Sequence, residues 1–151
     1  MKLAEALAER ADTMRRYQQV CQRLQRYARV QVGDCPAEDP SDLLALANAH
    51  LNHLDYLIRH INTTNSTTRF SNSLSLSDAV SYRDNTLKRR KLFADTASCA
   101  ASPQERRSRN EVKFVSSISV NDLQRLADRL SRDYRTLDTA IQRLNWTVDL
   151  L

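Results

Sequence analysis

The sequence has little glycine, proline or aromatic character, and these shortages exclude several classes of protein. Its 151 residues include one Gly and three Pro, and aromatic residues make up 6%. A single glycine excludes P-loops, Rossmann turns and the hydrolase nucleophile elbow, because each of these needs glycine at fixed positions. The chain also lacks a run of about 18 apolar residues, so the sequence predicts no membrane-spanning segment.

Cysteines and targeting signals are scarce as well. Cys21, Cys35 and Cys99 lack the CxxC or CxH spacing of metal sites, and an odd number of cysteines indicates free thiols. Near the start of the chain, Glu5 and Glu9 interrupt the apolar core that a signal peptide needs. We therefore expect a cytoplasmic protein without a cofactor, and no motif indicates an enzyme.

The remaining composition is rich in helix-forming residues, with Leu and Ala at helical spacing. In the last part of the chain Leu recurs every seven residues from Leu123 to Leu151, as in coiled coils. The predicted fold is all-α, an elongated antiparallel bundle with coiled-coil-like heptad packing in a single domain, residues 1–151. Its four long helices are expected at about residues 3–32, 41–62, 76–100 and 120–150.

The first two predicted helices carry apolar series that indicate an antiparallel hairpin. In the first helix the series repeats at seven through Leu7, Met14, Cys21 and Ala28. In the second it alternates gaps of three and four through Leu44, Ala47, Leu51, Leu54, Ile58 and Ile61. Further apolar positions fall outside these seams, and we expect a homo-oligomer to bury them by lateral self-association: Leu43, Leu46, Leu57 and Leu126.

Two segments break the helical pattern. Ten of the twelve residues from 62 to 73 are Ser, Thr or Asn, which predicts a polar loop over residues 62–75. Residues 102–119 are basic and irregular, and "EVKFV" within them alternates weakly, as a short strand would. In an up-down bundle, the polar loop, the N-terminus and the end of the fourth helix lie together.

Side chains at that shared end form the first candidate site. Asn and Thr can bond the free carbonyls where a helix ends, and Trp146 lies outside the leucine seam. Arg83 falls on an apolar stripe and needs a charge partner, for which Asp84, Asp55 or a second chain could serve. The predicted polar cluster, which either locks helices or subunits together or binds a ligand, is Asn62, Asn65, Arg69, Arg83, Asp84, Asn145 and Trp146.

The opposite end is predicted to be basic. Residues 85–130 carry ten Lys or Arg against five carboxylates. Such a surface could contact nucleic acid phosphates, although cations near helix C-termini also stabilise the helices themselves. The candidate basic patch consists of Arg23, Arg26, Arg29, Lys88, Arg89, Arg90, Lys91, Arg106, Arg107, Arg109 and Lys113.

All three histidines, His50, His53 and His60, fall on the second predicted helix. The HxxH spacing could hold a metal with carboxylates from a facing helix. The ExxH pairs of di-iron bundles are absent from the sequence, and exposure to solvent or burial in an interface is the alternative for these positions. Metal or small-ligand binding therefore stays open.

The order of several motifs resembles that of the septicolysin-like family of small bacterial proteins. The motifs are "PAEDP" (Pro36–Pro40), "INTTN" (Ile61–Asn65), "RD" (Arg83-Asp84), "EVKFV" (Glu111–Val115) and "NWTVDL" (Asn145–Leu150). The resemblance spans nearly the whole chain and implies a helical fold, without catalytic residues. Its label suggests a cytolysin, yet neither an export signal nor a membrane-inserting segment is present. We favour a self-assembling protein with an interaction or scaffolding role over nucleic-acid binding, ligand or metal binding, and cytolysis.

Overall fold

The computed structural model describes residues 1–101 and 115–151. Within these ranges the chain forms helices and two isolated β-bridges but no strand, which confirms the all-α bundle. None of these helices carries an apolar stretch long enough to cross a membrane. The helices are α1 (Leu3–Tyr27), α2 (Pro40–Thr67), α3 (Leu76–Ala101) and α4 (Val120–Thr147).

The chain divides into two compact units. The first comprises Met1–Leu76 with Gln142–Leu151, and the second comprises Ser77–Ile141. In the first unit α1 and α2 pack together. Their direction is antiparallel, because Glu9 near the start of α1 bonds His53 of α2, while Val20 further along α1 clusters with Leu43 at the start of α2.

The α1–α2 seam confirms Ala47, Leu54 and Ile61 of the predicted α2 series, whereas several other predicted positions are replaced by the residue one place earlier. Its buried residues are Leu3, Ala6, Thr13 and Val20 of α1 and Leu43, Ala47, Leu54, Leu57, Ile61 and Thr64 of α2. The heptad spacing in α2 is satisfied equally well by two neighbouring apolar stripes, one that starts at Leu43 and one that starts at Leu44.

This shift corrects two predictions about burial. Leu43 and Leu57 are only 3% and 0% exposed, so the chain itself buries them without a partner. The predicted seam positions Leu44, Leu51 and Ile58 are instead 51%, 43% and 38% exposed. An apolar row at seven-residue spacing is therefore left on the outside of α2.

Both ends of the connection between α1 and α2 follow from local chemistry. Helix α1 ends at Tyr27, earlier than the predicted residue 32, because Val30 and Val32 are exposed and contribute no burial that would extend the helix. Gly33 adopts a positive φ of 94°, which favours glycine. The carboxylate of Asp39 accepts a 2.8 Å hydrogen bond from the Ser41 amide, which confirms it as the N-cap of α2.

The polar segment that follows the apolar part of α2 is largely helical. Helix α2 continues to Thr67, which corrects the predicted loop over 62–75. The Thr64 and Thr67 hydroxyls donate 2.8 Å hydrogen bonds to carbonyls one turn back, so these side chains do not compete for backbone amides. A short turn completes the connection, and the Leu76 amide donates to the Thr68 carbonyl (2.8 Å) where α3 begins.

In the second unit α3 and α4 pair in antiparallel directions. Arg83 donates to Asp138 (3.1 Å), while Arg90, seven residues later, donates to Ser131, seven residues before Asp138 (3.1 Å). Arg83 also bonds Asp84, one of the three partners that the sequence left open. Burial lowers the pKa of Arg83, but its bonds to the two carboxylates outweigh that effect and raise the pKa.

Candidate functional site

The first and last residues of the chain bind each other in the first unit. The Leu3 amide donates to the Val148 carbonyl and the Leu150 amide donates to the Met1 carbonyl, both at 2.9 Å. Lys2 adds a 2.8 Å ion pair with Asp149, and this hydrogen-bonded ammonium lowers the pKa of the Asp149 carboxyl. The ion pair stabilises the fold above the ordinary aspartate pKa, and its contribution is lost as the pH falls through the lowered value.

Thr64 explains why polar residues occupy the end of α2. Its side chain is 0% exposed. The hydroxyl accepts a 3.0 Å hydrogen bond from the Leu151 amide and donates to the His60 carbonyl. The His60 ring Nδ1 bonds the Leu151 carbonyl in turn. We call Lys2, His60, Thr64, Asp149 and Leu151 the terminal clasp, since they join the start of the chain, the end of α2 and the last residues.

The predicted polar cluster divides between the two units. Asn62 and Arg69 are exposed in the first unit. The backbone of Arg69 forms an isolated antiparallel β-bridge with that of Ser75 across the turn after α2. Asn65 is half-buried, Asn145 is buried and Trp146 is 63% exposed. Arg83 and Asp84 belong to the second unit and bond each other there. That the seven residues of the predicted polar cluster form a single site remains a prediction.

Trp146 contributes to a different arrangement, a cavity of about 500 Å³ in the first unit. We call it the His53 cavity. One wall is α1, which contributes three carboxylates and small alanines, and a second is α2, which contributes two histidines. Its polar and aromatic lining consists of Glu5, Glu9, Asp12, Thr13, Arg16, His50, His53 and Trp146.

One contact and one mostly buried side chain define the inner surface of the His53 cavity. The His53 ring Nε2 lies 2.7 Å from Glu9 Oε1, which ties the two helical walls together. Thr13 lies deeper, with 5% of its surface exposed. Within the described ranges, no side chain or carbonyl forms a hydrogen bond with its hydroxyl. Every fully enclosed polar side-chain atom in those ranges does have a partner, so the Thr13 oxygen is not fully enclosed. The Thr13 oxygen therefore opens onto the cavity.

We expect Thr13→Val to change the free energy of unfolding by less than about 1 kcal/mol, because the hydroxyl opens onto the cavity and has no protein hydrogen bond to lose. Urea denaturation of both proteins measures the change. Thr136→Val is the matched control, since the exposed Thr136 hydroxyl donates to the Arg132 carbonyl and the substitution removes that hydrogen bond. A Thr13→Val protein that is less stable than the parent by more than this amount would show that the hydroxyl has a stabilising partner.

The metal prediction gains no geometric support in the described parts of the chain. There, no three His, Cys, Asp or Glu side chains are arranged to hold an ion. His50 and His53 line the His53 cavity, whereas His60 belongs to the terminal clasp. The three histidines thus do not act as one set.

The candidate basic patch is also distributed between the units. Arg23 pairs with Glu38, and this guanidinium lowers the pKa of the Glu38 carboxyl. Arg26 and Arg29 are exposed in the first unit, and Lys88, Arg89, Arg90 and Lys91 are exposed on α3. Arg106, Arg107, Arg109 and Lys113 lie outside the described residues, as does most of "EVKFV".

A second cavity, of about 460 Å³, lies between α3 and α4. Four of its nine lining residues are alanine, and its charged lining residues are Arg90 and Asp128. The small side chains explain the space between the helices. This cavity offers less chemistry than the His53 cavity, because its lining has one carboxylate instead of three and no histidine.

The carboxylates of the His53 cavity were not predicted as site residues. Glu5, Glu9 and Asp12 follow one another at helical spacing along α1, which is a detectable signal in the sequence. An acidic row on a helix is nevertheless typical of a solvent-facing surface. This row differs from an ordinary solvent-facing surface only because His53 and Trp146 lie beside it in the folded chain.

The fold and these contacts define a four-helix protein without a recognisable catalytic arrangement in the described residues. The chain belongs to DUF6847, a family of unknown function that matches residues 10–150. It is similar to a functionally unknown conserved protein from Corynebacterium diphtheriae known from its crystal structure. The two are 44% identical with a TM-score of 0.94, and the match covers 100% of this chain and 99% of the other. No curated protein matches the chain.

Proposed function

We propose that this protein acts as a self-associating helical scaffold and that two copies pair through α2. The apolar row of Leu44, Leu51 and Ile58 carries the proposal. These side chains remain 51%, 43% and 38% exposed although they occur at the seven-residue spacing of a helix–helix seam. A second α2 would cover all three residues at once.

The dimensions of the row suit a helical partner. At about 1.5 Å per residue, Leu44 and Ile58 lie roughly 21 Å apart along the axis of α2. Scattered exposed leucines are ordinary on protein surfaces, whereas a straight apolar row on one helix is typical of an interface. The helical fold offers no strand edge among the described residues as a competing mode of pairing.

The charge beside the row favours a second copy in antiparallel orientation. Asp55 is exposed and lies one turn from Leu51 on the same side of α2. Asp55 forms a 3.1 Å ion pair with Arg59 of the same helix, and parallel pairing in register would place like charges of the two pairs side by side, which is unfavourable. Antiparallel pairing centred on Leu51 separates them, sets Leu44 against Ile58 of the partner subunit, and opposes the two helix dipoles.

Leu51→Glu is expected to abolish the dimer, because it would bury two carboxylates at the centre of the interface. Light scattering at micromolar concentration should give twice the 17.3 kDa chain mass for the parent protein and 17.3 kDa for the variant. Leu46→Glu is the matched control, since Leu46 is 41% exposed on the same helix but lies about 140° away around its axis. A parent protein of 17.3 kDa, or equal effects of both substitutions, would contradict the proposal.

A further inference from the structure

We propose that the His53 cavity binds small aliphatic amine cations of the diamine and polyamine class. This inference is independent of the proposed self-association, because every residue that it uses lies in the first unit and outside the apolar row of α2. Three features carry it: a row of carboxylates, the mostly buried Thr13 whose hydroxyl opens onto the cavity without a protein partner, and an indole at the edge of the cavity.

The carboxylate row provides the charge. The lining holds the carboxylates Glu5, Glu9 and Asp12 against one arginine, Arg16. Asp12 is already paired with Arg15, which lies outside the lining, so Glu5 and Glu9 supply most of the attraction for a cation. Steps of four and three residues correspond to about 6 Å and 4.5 Å along α1. Ammonium groups joined by a short alkyl chain have a similar separation, so one linear molecule could meet successive carboxylates.

The existing contacts leave acceptors available to such a molecule. His53 bonds only Oε1 of Glu9, and the Lys2 amide bonds only Oε2 of Glu5. Each of these carboxylates therefore keeps an oxygen that can accept a hydrogen bond from an ammonium group. The Glu9–His53 contact also fixes the position of the carboxylate, which lowers the entropic cost of binding.

Thr13 and Trp146 make the cavity more than an acidic surface. The Thr13 side chain is 5% exposed, and its hydroxyl can accept a hydrogen bond from an ammonium group that reaches the inner wall. Trp146 is 63% exposed and presents an indole to the same space, where a cation over its face is stabilised by the ring quadrupole. Alkyl segments can contact Ala4 and Ala8.

Other ligand classes fit less well. A volume of about 500 Å³ is in the range of small-molecule pockets and far exceeds a metal ion. In the residues described, no three potential ligands converge on a point, which disfavours a bare divalent cation. An anion would meet Arg16 but also three carboxylates, so charge repulsion opposes it.

Fluorescence titration tests the inference directly, because Trp146 is the one tryptophan of the chain. Putrescine and spermidine, added at constant ionic strength, should change its emission saturably, and calorimetry should give the same affinities. Butanediol, which lacks the charge, should not bind. A response to sodium or magnesium chloride equal to the response to spermidine would overturn the proposal, since it would reduce the effect to screening.

Substitutions locate the binding. Glu9→Gln should weaken spermidine binding about tenfold, because it removes one charge-assisted hydrogen bond. Asp34→Asn changes the net charge equally at an exposed position outside the cavity and should leave the affinity unchanged. Equal affinities of these two variants would overturn the proposal.

Thr13→Val provides a second test of the binding site, which remains valid if Glu9→Gln disturbs the fold. This variant should remain folded by circular dichroism and bind spermidine several-fold more weakly, because one acceptor is lost from the inner wall. Parental affinity in a folded Thr13→Val protein would show that the hydroxyl does not face the ligand, and would contradict the inference.

Discussion

Leu57→Ala is expected to lower the free energy of unfolding by about 2–5 kcal/mol, which is the range for large-to-small substitutions in a core. Leu57 is 0% exposed and lies in the seam between α1 and α2. Its neighbour Ile58 is 38% exposed. Ile58→Ala should therefore cost about 1 kcal/mol or less within one chain, since most of the lost contact is with solvent.

The two substitutions form a matched pair on adjacent positions of α2. Urea denaturation at low protein concentration measures both, so that association contributes little to the comparison. If Ile58→Ala destabilises the chain more than Leu57→Ala, the seam contains Leu44, Leu51 and Ile58 after all. That result would also remove the exposed apolar row from which self-association is proposed.

Thr64→Val is expected to lower the free energy of unfolding by about 1–3 kcal/mol, because it leaves the Leu151 amide without its acceptor in the terminal clasp. Valine keeps the shape of threonine, so loss of packing contributes little. The neighbouring Thr63 is exposed, and Thr63→Val is the control with the same chemical change.

Hydrogen exchange distinguishes the clasp from a general loss of stability. In Thr64→Val the amides of Leu150 and Leu151 should exchange faster, while amides in the middle of α1 should change only with global stability. Equal destabilisation by Thr63→Val and Thr64→Val would show that the last residues do not dock on α2.

Periodicity and capping predicted much of the fold. Asp39 with Pro40 marked the start of α2, and α3 begins at Leu76 as its polar approach indicated. In α4 the leucine repeat placed the buried face correctly, with Leu123 and Ile141 both buried. These features are local, because a cap or a heptad repeat depends on residues within a few turns.

The errors arose where the decision depends on another element. Leu43 and Leu44 offer two apolar stripes, and only contact with α1 selects between them. The Thr-rich end of α2 was predicted to leave the helix because these residues favour turns. It remains helical because the buried Thr64 is held between the His60 carbonyl and the Leu151 amide, which is 87 residues away in sequence.

The candidate site was only partly accessible from sequence. The position of Trp146 outside the leucine seam indicated a role beyond the core, and His53 was identified as a possible ligand-binding side chain. Their meeting with Glu9 and Thr13 requires the antiparallel register of α1 and α2 and the return of α4 to the first unit. A pattern within one helix carries no such information.

Chemical cross-linking at position 51 tests self-association through α2 most directly. Leu51→Cys, in a protein whose Cys21, Cys35 and Cys99 are replaced by serine, should form a covalent dimer rapidly with a short bismaleimide, because antiparallel pairing sets this residue against its own copy. Leu46→Cys in the same background should not become cross-linked, because position 46 lies outside the proposed interface. Equal, slow cross-linking at both positions would contradict the account.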